Sequence, residues 1–235
     1  LALTFTAMLI TLNSVMGLIS SFIAGPIIDR FGRKWVMVIS LLLNGLGYLL
    51  MSQADSLAAF AALMALQGAV NPLYRVGADA MMADLIPPEE RVDAYSLMRL
   101  SNNVGVAIGP SVGGFLAAAS YNLAFFGAAV GLSSYGLLLL FLARETLPKD
   151  HAQLAAQDRF GGYDRVLKDN SFRSFVFAFV FTQLSAAIMW VMLSVYAKTN
   201  YGLSEARYGF LPTTNALMVV LLQIPVTMWA KRKKP

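Results

Sequence analysis

The sequence predicts an all-α fold, a polytopic bundle of seven transmembrane helices, on three observations. Hydrophobic residues make up 57% of the 235-residue chain and charged residues only 13%, about half the charged share of a soluble domain. The apolar residues gather into seven runs, each near the ~20 residues that a helix needs to cross the hydrocarbon core of a bilayer. The basic residues lie between those runs and fall mostly on one side of them. A soluble fold has too few charges here to cover so much apolar surface, and the runs are too long and numerous for one buried core.

The runs span roughly 1–28, 35–53, 57–84, 93–118, 122–143, 172–197 and 208–230. Short polar hinges separate most of them. Ser52-Gln53-Ala54-Asp55-Ser56 stops one helix and offers Asp55 or Ser56 as the next cap. Ile86-Pro87-Pro88-Glu89-Glu90-Arg91 breaks a helix at its prolines and begins another with acidic residues in the first turn. Ser120-Tyr121-Asn122 is a tight exit. Residues 144–170 differ: they are polar, charged and long, and read as a cytoplasmic linker with a short amphipathic helix around His151–Gln157. The expected organisation is therefore an N-terminal bundle over 1–143, this linker, and the start of a second bundle over 171–235.

Charge placement sets the orientation. Arg30, Arg33, Lys34, Arg91, Arg144, Lys149, Arg159, Arg165, Lys168 and the terminal Lys231-Arg232-Lys233-Lys234 all collect on one side, against Lys198 and Arg207 on the other. The positive-inside rule makes the first side cytoplasmic, so the first span begins outside. Residue 1 is a Leu inside an apolar run, and the simplest expectation is a piece of a longer chain lacking at least one preceding helix. A natural seven-helix protein is the alternative.

Several function classes are disfavoured. The net charge of +5 is spread through loops rather than gathered in a patch, which argues against nucleic acid. The chain has no Cys, which excludes disulfides and thiolate metal sites, and its single His151 stands in a polar connector without ligand partners. No nucleophile–base pair or phosphate loop is visible, and Gly161-Gly162 is too little for a nucleotide site. Neither an enzyme nor a cofactor is expected.

The loop after the first run reads Gly25-Pro26-Ile27-Ile28-Asp29-Arg30-Phe31-Gly32-Arg33-Lys34. Asp29 sits at a helix end where charge can leave the membrane, Gly32 supplies a turn with free φ, and Arg33 and Lys34 anchor at the headgroups. The decapeptide resembles the loop between helices 2 and 3 of the major facilitator superfamily, G-x-x-x-D-R-x-G-R-K. That resemblance implies a cytoplasmic charge relay that holds two bundles together in the outward-facing state, with roles for Asp29 and Arg33. Asp84 resembles the family's acidic residue at the inner end of helix 4 and is expected to join them; a headgroup-level charge is the alternative.

A second string lies in the fourth run, Gly105-Val106-Ala107-Ile108-Gly109-Pro110-Ser111-Val112-Gly113-Gly114. Gly105, Gly109 and Gly113 fall four apart on one stripe, spacing that lets helix backbones approach closely, and Pro110 is expected to bend the helix. A generic packing face explains the glycines as well. The whole string is similar to the helix 5 motif of the family's antiporters, especially multidrug/proton exporters. With both strings placed, the seven runs correspond to the family's helices 2 to 8, a partial major facilitator fold. Its partners would be the lipid bilayer, a small-molecule substrate, protons as coupling ion and the remaining helices of a parent chain. The resemblance implies an integral protein of the bacterial inner (plasma) membrane.

Further along the third run, Arg75 and Asp79 lie four residues apart on one helical face, and Arg99 falls on the following span. Ionisable groups at membrane depth mark either a structural cluster or a functional site, and Asp79 is the candidate proton carrier. Exporters of this family carry an Arg three residues before Gln67; here that residue is Met64, a departure that opens the alternative of a nutrient symporter. Gln183, Trp190 and Tyr196 on the sixth span, with Asn215 and Gln223 on the seventh, are candidate substrate contacts, though ordinary lipid-facing positions explain most of them. The function expected from the resemblance is secondary transport by alternating access, as proton-coupled export of lipophilic small molecules. A membrane scaffold or sensor that kept the fold without transporting is the reading from another class. Seven spans supply only part of a cavity wall, so this chain alone is not expected to transport.

Overall fold

The computed structural model describes residues 2–147, 163–202 and 210–232. The short helix expected around His151–Gln157 lies outside the described residues. Every described element is helical: α1 Ala2–Phe31, α2 Arg33–Met51, α3 Leu57–Leu85, α4 Arg91–Ala119, α5 Tyr121–Leu142, the short α6 Tyr163–Lys168, α7 Asn170–Tyr201 and α8 Phe210–Arg232. The seven long helices stand where the seven apolar runs are. Among the described residues, five helical stretches are both long and apolar enough to cross a membrane: Phe5–Phe31, Arg33–Met51, Leu57–Leu85, Tyr121–Leu142 and Leu211–Trp229. The other two long helices, α4 and α7, run 29 and 32 residues.

Helix ends follow local chemistry. The Ser56 hydroxyl accepts from Ala59 N at 3.2 Å and starts α3, and Ser120 does the same for α5 through Asn122 N. The Asp169 carboxylate accepts from Ser171 N and Phe172 N and opens α7. That helix closes on Gly202 at φ +60°, whose N–H reaches Lys198 O at 3.1 Å. The last carbonyls of α3 need partners where the prolines stop the helix. Arg91 provides them, donating from Nη2 to Ala83 O at 2.8 Å and from Nε to Ile86 O at 3.2 Å.

The described chain forms two compact units, one of residues 1–94 and 111–161, the other of 95–110 and 162–235. In the first unit α3 packs on α1 and α2, and α2 on α5. Its buried apolar centre is small, formed by Ala24, Ile28 and Val36 with Leu73, Val76 and Ala80 against them. Outward, Met8, Leu18 and Phe22 are each 63% exposed, an arrangement that only a hydrocarbon solvent tolerates along a whole helix. Without a hydrophobic drive between helices in lipid, close backbone approach and polar side chains hold them together. The hydroxyl of Ser20 bonds Ala69 O, Ser40 Oγ bonds Val70 O at 2.8 Å, Asn13 Nδ2 bonds Met64 O at 2.8 Å and Gln67 Nε2 bonds Asn44 O at 3.0 Å. Gly68 lies so near the backbone of Asn13 that a Cβ there would collide with the Asn13 carbonyl. In the second unit α6 packs on α7, and the Ser96 hydroxyl of α4 meets the Thr227 hydroxyl of α8 at 3.2 Å.

Candidate functional site

The ends of four helices of the first unit converge on Arg33. This residue opens α2, directly after the break at Gly32, whose φ of +96° turns the chain out of α1. The turn brings Asp29, the last acidic residue of α1, back onto the same side chain. Arg33 Nη1 lies 3.1 Å from Asp29 Oδ1 and Arg33 Nε 2.6 Å from Asp84 Oδ2 at the end of α3. Neither nitrogen makes an aligned hydrogen bond, so the attraction is Coulombic. The Arg33 side chain is 9% exposed against 26% for Asp84 and 47% for Asp29. The pairing with Asp84 is the less screened of the two and carries more of the interaction.

The remaining decapeptide residues do other work. Arg30 lies over the Phe31 ring at 5.5 Å and Lys34 over the Trp35 ring at 5.2 Å, aromatic anchors of the kind found at a membrane interface. Gly25 is half-buried within α1.

The sequence reading missed the residue that completes this cluster. Glu145 follows the end of α5, and its carboxylate accepts from Arg33 N at 2.9 Å and Lys34 N at 3.1 Å. Helix α2 has no side-chain cap of its own, so a carboxylate 112 positions away in sequence satisfies its first donors and its positive dipole end. Oε1 also accepts from Thr146 N and Leu147 N, and Thr146 Oγ1 donates to Asp84 Oδ2 at 3.0 Å. Gly32 is required twice here, for its positive φ and because a Cβ would collide with the Glu145 carboxylate. The circuit Asp29–Arg33–Asp84–Thr146–Glu145 therefore ties the ends of α1, α2, α3 and α5. The only sequence signal was an acidic residue in the otherwise basic exit of the fifth run.

Within the same unit, Arg75 and Asp79 are brought together as expected. They line a cavity of about 340 Å³ with Ser21, Asn71, Pro72 and Val76. Both are exposed to it, and among the described residues neither makes an ion pair. Arg99 belongs to the second unit. There it lines a cavity of about 410 Å³ with Asn215, Gln223 and apolar residues of α8.

Gln183 is an exposed residue of α7, and Trp190 is placed on α7 only by its backbone. Tyr196 packs edge-on to Tyr201, ring centroids 5.8 Å apart. Helix α4 runs unbroken through Pro110 and Gly114. At Gly105, Gly109 and Gly113 an added Cβ would meet nothing within 4 Å, so among the described residues no helix packs on that stripe.

Comparison with known proteins places this geometry. The sequence model of the Major Facilitator Superfamily matches residues 1–235. A Na(+), Li(+), K(+)/H(+) antiporter of Planococcus maritimus is 26% identical over 94% of this chain and 59% of its own length. Multidrug resistance protein 2 of Bacillus subtilis is 26% identical over 92% of this chain and 53% of its own. The crystal structure of the human organic anion transporter MFSD10 superposes with a TM-score of 0.70 at 21% identity, over 90% of this chain and 55% of that one. The chain thus spans little more than half the length of the relatives it matches. With the match running from the first residue to the last over an all-helical, membrane-spanning chain, this protein belongs to the Major Facilitator Superfamily of transporters.

Proposed function

We propose that the chain forms part of a secondary active transporter that exports lipophilic small molecules in exchange for protons, in the plasma membrane of a bacterium. The observation that carries this reading is the cavity at Arg75 and Asp79. Among the described residues neither charge makes an ion pair, in a span otherwise apolar enough for hydrocarbon, an expensive arrangement that marks a pathway rather than a scaffold. Asp79 is the proton carrier, with Arg75 one turn away on the same helical face and lining the same cavity. Ser21 and Asn71 supply polar contacts at the same level. The similarity to a multidrug resistance protein and to a cation/proton antiporter supports the same reading.

The circuit around Arg33 acts as the latch of one end of the bundle, making α1, α2, α3 and α5 move as a body during alternating access. The glycine stripe of α4 is the face on which further helices of the family fold would pack. Gln183, Trp190 and Asn215 are proposed substrate contacts.

Everted membrane vesicles test the direction of coupling. With the vesicle interior acidified, an antiporter accumulates ethidium inside as protons leave, and nigericin abolishes the uptake. A symporter drives substrate out under the same gradient. Met64, in place of an exporter's arginine, is the observation favouring symport, so outward movement of substrate decides for that alternative.

A further inference from the structure

The cavity of the second unit has a chemistry of its own. Its polar groups are the Arg99 guanidinium and the carboxamides of Asn215 and Gln223, and its walls are Met218, Leu222 and Val226. No acidic side chain lines it, and none pairs with Arg99 among the described residues. Ser96 and Thr227 meet beside it at 3.2 Å, and Arg99 and Gln223 line the one cavity. Both lie roughly 12 Å inside their helix ends at Arg91 and Arg232, and Asn215 lies about 12 Å deeper along α8. Gln223 spends one N–H on Thr227 Oγ1 at 3.2 Å and keeps its second N–H and its carbonyl. Snorkelling of Arg99 to the headgroups would explain the arginine alone. It would not explain the two carboxamides that line the same cavity.

We infer that this cavity is a binding subsite for a lipophilic monoanion, a carboxylate or sulfonate carried on a hydrocarbon body. The anion sits on the Arg99 guanidinium, whose planar fork suits a carboxylate, and Gln223 donates beside it. The hydrocarbon lies along Met218, Leu222 and Val226 toward Asn215. A volume of about 410 Å³ falls in the range of small-molecule sites. A lone guanidinium without a carboxylate in the lining repels the lipophilic cations that such an apolar wall would otherwise take. The inference deepens the transport reading and rests on it only for the use of the site; occupancy itself needs no gradient.

The test is equilibrium binding of tritiated decanoate to the whole chain in phosphatidylcholine nanodiscs, read by scintillation proximity. Saturable binding is expected, displaced by decanesulfonate and not by decanol or decyltrimethylammonium. Arg99→Gln should weaken it at least tenfold and Arg99→Lys by about threefold. Leu222→Trp, which fills the apolar wall and leaves the charge in place, should weaken it by a similar margin to Arg99→Gln, with thermal unfolding of each variant checking that the fold survives. Binding unchanged within twofold in both Arg99→Gln and Leu222→Trp overturns the inference, as does equal displacement by the cation. Displacement of decanoate by phosphatidylglycerol in the disc, lost in Arg99→Gln, assigns the pocket to a lipid headgroup and overturns it too. A failure of proton-driven flux in vesicles leaves each of these outcomes unaffected, so the two readings fall separately.

Discussion

At the residue scale the structure turns on a few side chains at one end of the first unit. Glu145 is an exposed carboxylate that caps α2, satisfying donors that the helix cannot satisfy itself. Caps of this kind contribute about 1 kcal/mol, somewhat more when charged, so Glu145→Ala should lower stability by about 1–2 kcal/mol in steric-trapping unfolding. Gly32→Ala should cost more than that, because it strains φ and displaces the same carboxylate. Arg33 is almost buried, and Asp84→Asn removes its least screened partner; a loss on the order of 1–3 kcal/mol is expected. Part of that loss should vanish in a double-mutant cycle with Arg33→Gln. Additive effects would mean that the two side chains do not couple. Asp29, Arg33 and Asp84 were legible in sequence because they fall within or beside a recognisable string. Glu145 was not, since nothing local ties it to a helix more than 100 residues earlier.

At the element scale the contrast lies between two sets of glycines. Gly68 supports contact of α1 with α3, and a Cβ there meets backbone that cannot yield. Gly68→Val should therefore overpack the interface and cost about 1–3 kcal/mol. Gly109→Val on α4 meets open space and should leave the stability of this chain unchanged or slightly raised. Equal destabilisation by the two would show that the stripe on α4 is packed after all. The polar crosslinks through Ser20, Ser40 and Gln67 are worth about 0.6 kcal/mol each in a membrane protein, so none alone decides the fold. The same glycine spacing in sequence signalled packing on α4 and gave no hint of which helix would use it, because spacing carries no information about the partner.

At the scale of the whole molecule, the seven long helices were legible to within a few residues. Hydrocarbon demands apolar runs of fixed length, and the chain marks their ends with prolines, caps and basic residues. Arg75 with Asp79 was legible as a pair because i and i+4 share a helical face. The proposed function rests at this scale on Asp79. The most direct test is to add ethidium to the purified protein in weakly buffered solution and follow protons with a pH-sensitive dye. Exchange at Asp79 predicts net proton release on substrate binding, abolished in Asp79→Asn while ethidium binding is retained. Proton release of the same size from Asp79→Asn would contradict it.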